Sequence, residues 1–225
     1  MKTRILRLLL LSAVLGVVAP APSSAQITAP TGGSEAAQPS PFALSGDGGV
    51  LLGRVVRFRG TVSRSEVGRT VAVERKDPAT GTWLREATAT IGPRGAFLAR
   101  WRPRRPGRFS TRAVVLHDGQ ASAASASPEL PLTVYKPALA TWYGPGFFGR
   151  TTACGLELTR DLVGVAHRRL PCGTEVAISY RGRALVVPVI DRGPFRAGHD
   201  WDLSAATAEQ LGFTGTGRIG AVALR

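Results

Sequence analysis

Two aspartates and one histidine are the side chains of this chain that are best placed for acid–base chemistry. Asp191 directly follows the apolar run Leu185–Ile190, and a carboxyl group at the end of a buried strand is partly withdrawn from water. Asp202 lies in the sequence W-D-L-S, and His167 precedes the sequence R-R-L-P. Carboxyl and imidazole groups can exchange protons with a bound substrate, so these three residues are our candidate catalytic residues.

Each of these residues also has a purely structural interpretation. Asp191 can form an ion pair with Arg192 or cap the tight turn that follows it. Asp202 can cap the N-terminus of the short helix that the next residues predict. A histidine taken alone is more often a hydrogen-bonded structural residue than a catalytic one. Both interpretations therefore stay open at this point.

The first 25 residues have the three parts of a secretory signal peptide. Three basic residues give a positive start, Leu8–Val18 is apolar, and small residues follow up to Ala25. A membrane anchor is the alternative, but eleven apolar residues are too few to cross a hydrocarbon core of about 30 Å. We therefore expect a secreted protein, extracellular or associated with the cell wall, with no stable membrane anchor after cleavage.

Cys154 and Cys172 are the only cysteines of the chain. In an exported protein an isolated pair is expected to form a disulfide, and two free buried thiols are the alternative. Neither cysteine has the spacing of a zinc site, and the chain contains three histidines. We expect no metal ion and no cofactor.

Composition divides the rest of the chain into three segments. Residues 26–45 are rich in Pro, Ser, Gly and Ala, which predicts a flexible linker. Residues 46–136 contain short strand-forming runs separated by Gly and Pro turns, including E-R-K-D-P-A-T-G-T-W, and resemble the Ig-like β-sandwich domains of bacterial surface proteins. Residues 137–225 combine more short strands with one helix from Ser204 to Leu211, which suggests a compact barrel. The predicted fold class is therefore mainly all-β.

The formal net charge of +14 is concentrated in residues 46–136, which contain sixteen Lys and Arg residues and seven Asp and Glu residues. Arg100–Arg108 is the densest basic run. One interpretation is a strand edge that is kept charged against aggregation, and the other is a binding surface for an anionic polymer. Nucleic acid is not expected as the partner of an exported protein, so anionic cell-wall polymers or membrane surfaces are the expected partners.

Five short motifs in the last part of the chain occur in an order and spacing that resemble one protein family. They are A-T-W-Y-G (140–144), G-R-T-T-A (149–153), A-H-R-R-L-P-C-G-T (166–174), V-I-D-R-G-P-F (189–195) and W-D-L-S (201–204). Together they resemble the rare lipoprotein A, or RlpA-like, family, whose fold is a six-stranded double-psi β-barrel. The resemblance covers about residues 138–225, and members of the family include lytic transglycosylases that act on peptidoglycan.

This resemblance implies a peptidoglycan lytic transglycosylase, an enzyme that cleaves glycan strands and leaves 1,6-anhydromuramic ends. It assigns Asp191 and Asp202 the roles of catalytic carboxyl groups. It assigns His167 the role of orienting the acid or the substrate. Such an enzyme needs no attacking water, so one carboxyl group can serve first as acid and then as base.

Three further residues are candidates for binding the glycan. Trp142 and Tyr143 are expected to stack on sugar rings, with packing inside the barrel wall as the alternative. Arg192 is expected to hold an acidic or acetamido group of the substrate. Peptidoglycan glycan strands are therefore the partner that the resemblance implies.

One segment departs from the family pattern. Many members have Glu directly after the glycine that ends T-A-C-G here, where this chain has Leu156, and Asp three residues later, where it has Thr159. Glu157 is one residue out of register and would point elsewhere from an extended segment. A mechanism with one carboxyl group survives this loss, and a non-catalytic, expansin-like wall-binding or wall-loosening module is the alternative function.

Overall fold

The computed structural model describes residues 42–224, so the predicted signal peptide and residues 26–41 of the predicted linker lie outside the described residues. The described part is mainly β-structure, as predicted, with one α-helix, α1 (Ala205–Leu211). The strands are β1 (Ala43–Gly46), β2 (Gly49–Leu51), β3 (Val56–Thr61), β4 (Thr70–Lys76), β5 (Trp83–Thr90), β6 (Ala96–Trp101), β7 (Gly107–His117), β8 (Gln120–Ala126), β9 (Leu130–Tyr143), β10 (Val165–Ala166), β11 (Glu175–Tyr180), β12 (Arg183–Asp191), β13 (Trp201–Ser204) and β14 (Gly217–Ala223).

Strands β1 to β9 form two sheets that share a hydrophobic core. The first sheet has the order β1-β3-β6, and the second has the order β5-β4-β7-β9, with β2 paired to β9 and β8 paired to β7. Their common core includes Phe58 of β3, Val73 of β4, Trp101 of β6 and Leu132 of β9. Alternating residues of β3 and β6 supply one side of this core, and two sheets packed face to face are the pattern of a β-sandwich. Its relationship to Ig-like domains stays a prediction.

Strand β1 begins inside the segment that was predicted to be a linker. Phe42 is buried, and its ring packs edge-to-face against Phe97 with the centroids 5.9 Å apart. Ala43 to Gly46 pair antiparallel with β3. The predicted boundary at residue 45 is therefore too late, because an aromatic side chain anchors this end of the chain in the core.

Six strands close into a barrel in the C-terminal part. Their order is β13-β10-β12-β11-β14-β9, and pairing of β13 with β9 closes the circle. The pairs β9–β13 and β10–β12 are parallel, and the other pairs are antiparallel. The barrel core includes Ile178, Val187, Leu203, Leu211 and Ile219. This closed arrangement agrees with the predicted double-psi β-barrel.

One strand belongs to both the sandwich and the barrel. Residues 130–134 of β9 pair with β7, and residues 136–140 of the same strand pair with β14. The predicted boundary between residues 136 and 137 thus falls within a continuous strand. The sandwich and the barrel are joined by a hydrogen-bonded strand and not by a loop.

Short turns and one capped helix complete the barrel. Arg181 and Gly182 have φ values of 47° and 83°, so the hairpin between β11 and β12 has a two-residue turn. The Ser204 hydroxyl caps α1 by accepting a hydrogen bond of 3.3 Å from the backbone N–H of Thr207. Within residues 42–224, no helix is long and apolar enough to span a membrane.

Candidate active site

Asp202 lies in the middle of three neighbouring strands of the barrel. It is opposite Thr141 of β9 and Ala166 of β10. The Thr141 hydroxyl donates a hydrogen bond of 2.8 Å to Oδ1 of Asp202. Burial raises the pKa of Asp202 above its ordinary value, and the charge of Asp191 adds to this, while the Thr141 bond acts in the opposite direction. Asp202 therefore holds its proton to a higher pH than an exposed aspartate.

Asp191 is held by the backbone at the end of β12. Its Oδ1 accepts a hydrogen bond of 2.8 Å from the N–H of Ala153 and another of 2.8 Å from the N–H of Arg192. Within the described residues, Asp191 forms no ion pair with the Arg192 guanidinium. The turn that follows requires a glycine, because Gly193 has a φ of 136°. Asp191 thus caps this turn.

Tyr143 brings the two aspartates into one site. It follows Thr141 by two residues on β9, so both side chains leave the strand on the same face. Burial raises the pKa of Tyr143, and the charges of Asp191 and Asp202 raise it further, so its phenol interacts electrostatically with both carboxyl groups. The hydroxyl is buried and makes no well-aligned hydrogen bond within the described residues. A neutral phenol therefore shares the electrostatic environment of two carboxyl groups, one of which has a raised pKa.

The predicted disulfide is present and supports this site. Cys154 and Cys172 are bonded, with their Cα atoms 5.7 Å apart. The bond ties the loop that contains Ala153 to the turn that precedes β11. Because the Ala153 N–H is a hydrogen-bond donor to Asp191, the disulfide fixes the position of one of the two donors on that carboxyl group.

His167 has a satisfied structural role on one of its ring nitrogens. Its Nδ1 accepts hydrogen bonds from the backbone N–H groups of Arg169, at 3.2 Å, and of Leu170, at 2.9 Å. Burial lowers the pKa of His167, and the charges of Arg168 and Arg192 lower it further. The imidazole is therefore neutral and has its hydrogen on Nε2.

The His167 ring is not directed at the aspartates. It packs against Trp201 with the ring centroids 4.5 Å apart, and Trp201 precedes Asp202 on β13, so the two point to opposite faces. Both rings line a cleft of about 1030 Å³ between the sandwich and the barrel, which Asp191 and Asp202 do not line. Within the described residues, the His167 ring makes no hydrogen bond to either aspartate, whereas its backbone N–H donates one of 3.1 Å to the backbone oxygen of Asp191. The structure thus separates the His167 ring from the two carboxyl groups with which the sequence grouped it.

The two predicted sugar-stacking aromatics are also separated. Trp142 is 38% exposed and lines a small pocket with Phe148 and Arg160, whereas the neighbouring Tyr143 faces the aspartates. Consecutive residues of a strand point to opposite faces, so the two rings cannot line the same groove. The Arg192 guanidinium donates a long hydrogen bond of 3.4 Å to the backbone oxygen of His167.

Exposed apolar side chains lie in the segments next to this site. Phe147 packs edge-to-face on Tyr143, with the centroids 6.3 Å apart, and Phe195, four residues after Asp191, is 83% exposed. Leu156 stands at the family glutamate position and is 43% exposed. Glu157 is exposed and lies in a short antiparallel bridge with Thr151.

Two groups of the site were not predicted from the sequence: the Thr141 hydroxyl and the Ala153 N–H. The alternation of side chains in A-T-W-Y-G places residues 141 and 143 on one face, and this signal was sufficient to find Thr141. A backbone donor from a distant loop gives no such signal. Among residues 42–224, no group of His, Cys, Asp or Glu is arranged to hold a metal ion.

Comparison with known proteins agrees with this barrel. Residues 136–223 match the family model described as lytic transglycolase. A probable endolytic peptidoglycan transglycosylase RlpA of Synechocystis is 45% identical to this chain over 91 residues. The aligned part covers 40% of this chain and 28% of that protein. The corresponding protein of Aquifex aeolicus is 45% identical over 82 residues, which cover 36% of each chain. An endolytic peptidoglycan transglycosylase RlpA of Pseudomonas aeruginosa is 43% identical over 86 residues, which cover 36% of this chain and 25% of that protein.

The family match covers the barrel and not the sandwich. The chain spans 28% and 36% of the length of the first two curated relatives. Among solved structures, a CARDB domain from Pyrococcus furiosus aligns with 41% of this chain and 84% of its own, at 16% identity and a TM-score of 0.29, which is too low to support an argument. The family match, the relatives and the closed six-stranded barrel identify residues 136–223 as an RlpA-like double-psi β-barrel domain.

Proposed function

We propose that this protein is a secreted peptidoglycan lytic transglycosylase whose barrel cleaves glycan strands and leaves 1,6-anhydromuramic ends. The observation that carries the proposal is the half-buried Asp202, whose pKa is raised by burial, beside a second carboxyl group, Asp191. A glycosidase-type reaction needs a carboxyl group that holds its proton to a higher pH than an ordinary aspartate does. The printed names of the relatives, endolytic peptidoglycan transglycosylases, support the same reaction.

In the first step, Asp202 acts as the general acid. It donates its proton to the glycosidic oxygen while the bond from that oxygen to the anomeric carbon of the muramic acid breaks. Positive charge develops on the sugar ring, and the Asp191 carboxylate stabilises it electrostatically. The two backbone N–H groups on Oδ1 of Asp191 hold this carboxylate in place.

In the second step, Asp202 acts as the general base. The 6-hydroxyl of the same muramic acid attacks the anomeric carbon, and its proton passes to the Asp202 carboxylate. The new bond gives the 1,6-anhydro ring, no water is consumed, and the enzyme returns to its protonated starting state. The Thr141 hydroxyl keeps the carboxyl group oriented in both steps.

Residues in the loops next to the barrel strands have supporting roles in this proposal. His167 orders the loop that contains Arg169 and Leu170 and acts as a positioning residue and not as a proton donor. The exposed Phe195 and Phe147 offer apolar faces on which sugar rings can stack, a role that was predicted for Trp142.

The direct test is digestion of purified peptidoglycan by the full-length protein, with mass spectrometry of the soluble products. We expect muropeptides with 1,6-anhydromuramic ends, which are lighter by one water than the hydrolysis products. Products with reducing ends alone would show a hydrolase, and the transglycosylase proposal would then be wrong.

One observation favours a second function, a non-catalytic wall-binding or wall-loosening module. Leu156, an exposed apolar side chain, stands where many family members have a glutamate. The module would bind intact peptidoglycan and release no product. If wild type releases no anhydro product and Leu156→Glu does, the site is a glycan-binding groove that has lost its acid.

The predicted signal peptide and the charge of the chain suggest where the protein works. Residues 1–25 lie outside the described residues, so export and a location outside the cell or at the cell wall stay predictions. The sixteen basic and seven acidic residues of segment 46–136 favour contact with an anionic polymer of the cell envelope.

A further inference from the structure

The solvent face of the sheet β1-β3-β6 collects basic side chains from two distant parts of the chain. Arg57 and Arg59 alternate with buried residues on β3, and Arg100 alternates with buried residues on β6, so all three point away from the core. Arg57 lies directly opposite Arg100, and Arg59 lies opposite Leu98. We call Arg57, Arg59 and Arg100 the basic face.

The basic face has no acidic partner within the described residues. Asp47 is the acidic residue in contact with it, and its carboxylate accepts a hydrogen bond of 3.4 Å from the backbone N–H of Arg57, not from the guanidinium. Elsewhere in the sandwich, four of the acidic residues form ion pairs: Glu66 with Arg69, Glu74 with Arg112, Glu86 with Arg75 and Glu129 with Lys76. The fold thus pairs acids with bases away from this sheet and leaves the basic face unneutralised.

Stability does not explain this arrangement. Two like charges directly opposite each other on neighbouring strands are destabilising. Protection of a free sheet edge does not explain Arg59, because this residue is paired on both sides, with Ser45 of β1 and Leu98 of β6. A ligand that brings negative charge would remove the repulsion.

We propose that the basic face binds a linear polyanion of the cell envelope with closely spaced phosphate or carboxylate groups. Arg57 and Arg59 are two residues apart on one strand, a spacing of about 7 Å, and Arg100 lies about 5 Å away on the next strand. Guanidinium groups bind phosphate and carboxylate through two parallel hydrogen bonds. Three such groups on a flat surface fit a chain that presents several anions in succession.

This proposal depends on the proposed function in one respect, which is that both place the protein at the cell envelope. The basic face belongs to a different sheet from the one that continues into the barrel, and its ligand would not be cleaved. Its occupant would hold the protein on the wall while the barrel works on glycan. Binding and cleavage can therefore fail independently and are tested with different materials.

The test compares two double variants of the full-length protein with the same change of net charge. Arg57→Gln/Arg100→Gln removes the opposed pair, whereas Arg85→Gln/Arg218→Gln removes two exposed arginines of β5 and β14 as a control. Binding is measured by fluorescence anisotropy with labelled poly(glycerol phosphate), labelled polygalacturonate, and vesicles of phosphatidylglycerol and phosphatidylcholine. Thermal unfolding of each variant verifies folding.

We expect the first variant to bind a polymer at least about tenfold more weakly than wild type at low salt. The slope of the logarithm of the binding constant against the logarithm of the salt concentration should be smaller in magnitude by roughly two, because two charged contacts are lost. We expect the control to stay within about twofold of wild type. The phosphate and carboxylate polymers show which anion is preferred. Equal loss in both variants, no loss in either, or binding to the vesicles alone would overturn the proposal. Unchanged binding with new aggregation of the first variant would show a solubility role and would also overturn it.

Discussion

The Thr141 hydroxyl donates a hydrogen bond to the Asp202 carboxyl group across two parallel strands, at 2.8 Å. This bond lowers the pKa of Asp202, while burial raises it, and burial is the larger effect. The charges of His199, which lowers the pKa, and Asp191, which raises it, also contribute. The contribution of Thr141 is the one that a substitution can remove without emptying the site.

Replacing Thr141 by valine should shift the pH dependence of activity to higher pH. Without the hydroxyl donor, burial of Asp202 is opposed less, its pKa rises, and the protonated form persists to higher pH. The measurement is kcat/KM for anhydro product release across pH for wild type, Thr141→Val and Thr141→Ser. The serine variant keeps a hydroxyl and should behave like wild type. A shift of the Thr141→Val profile to lower pH would contradict the assignment.

Replacing Asp202 by asparagine should not destabilise the protein at neutral pH. The pKa of Asp202 is raised in the folded state, so wild type loses stability as pH rises from the ordinary aspartate value through the raised one. Asparagine keeps an acceptor for the Thr141 hydroxyl and has no charge to bury. Thermal unfolding should give the variant a midpoint at least as high as that of wild type at neutral pH, and a clearly lower midpoint would show that the carboxylate stabilises the fold.

Removal of the disulfide should reduce both stability and activity. Cys154 and Cys172 are separated by 18 residues, and a cross-link that closes a loop of this size contributes roughly 3 kcal/mol. Cys154→Ser/Cys172→Ser should lose about this much free energy of unfolding. It should also lose activity, because Ala153 is next to Cys154 and donates to Asp191. Full activity in the variant would mean that the loop is held by its other contacts.

His167 should matter for stability more than for the chemical step. Truncation to alanine leaves the partly buried N–H of Leu170 without its acceptor, and the loss of such a hydrogen bond costs about 0.5–1.5 kcal/mol. The pKa of His167 is lowered in the folded state, so its stabilising effect is present above the ordinary histidine value and is lost as pH falls below it. His167→Asn, which keeps an acceptor, should recover much of the loss. Abolished activity in a stable His167→Asn variant would make His167 catalytic after all.

The sequence predicted the barrel better than it predicted the orientation of side chains. The motifs around Asp191 and Asp202 located both carboxyl groups, since short motifs retain residue identity and order. They did not reveal that the side chains of Trp142 and Tyr143 point to opposite faces of β9, or that the His167 ring packs against Trp201. A motif groups residues that are neighbours in sequence, whereas consecutive residues of a strand point to opposite faces.

Two other differences have simple physical causes. The run Leu185–Ile190 predicted a strand buried on both sides, but Val186 is 45% exposed because the hairpin end of β12 extends beyond the covered part of the barrel. The continuous strand β9 was split at residue 136 in the prediction. The sequence there changes from one domain pattern to another, whereas the backbone hydrogen bonds continue.

The central claim is that Asp202 transfers the proton in glycan cleavage. The most direct measurement is the yield of 1,6-anhydro-muropeptides from purified peptidoglycan with wild type, Asp202→Asn and Glu157→Gln, each shown to be folded. Asparagine cannot give up a proton, and a general acid contributes roughly 10² to 10⁴-fold, so Asp202→Asn should form almost no product. Glu157→Gln removes the same charge from an exposed bridge residue and should match wild type. Wild-type yield from Asp202→Asn, or loss of product only in Glu157→Gln, would contradict the account.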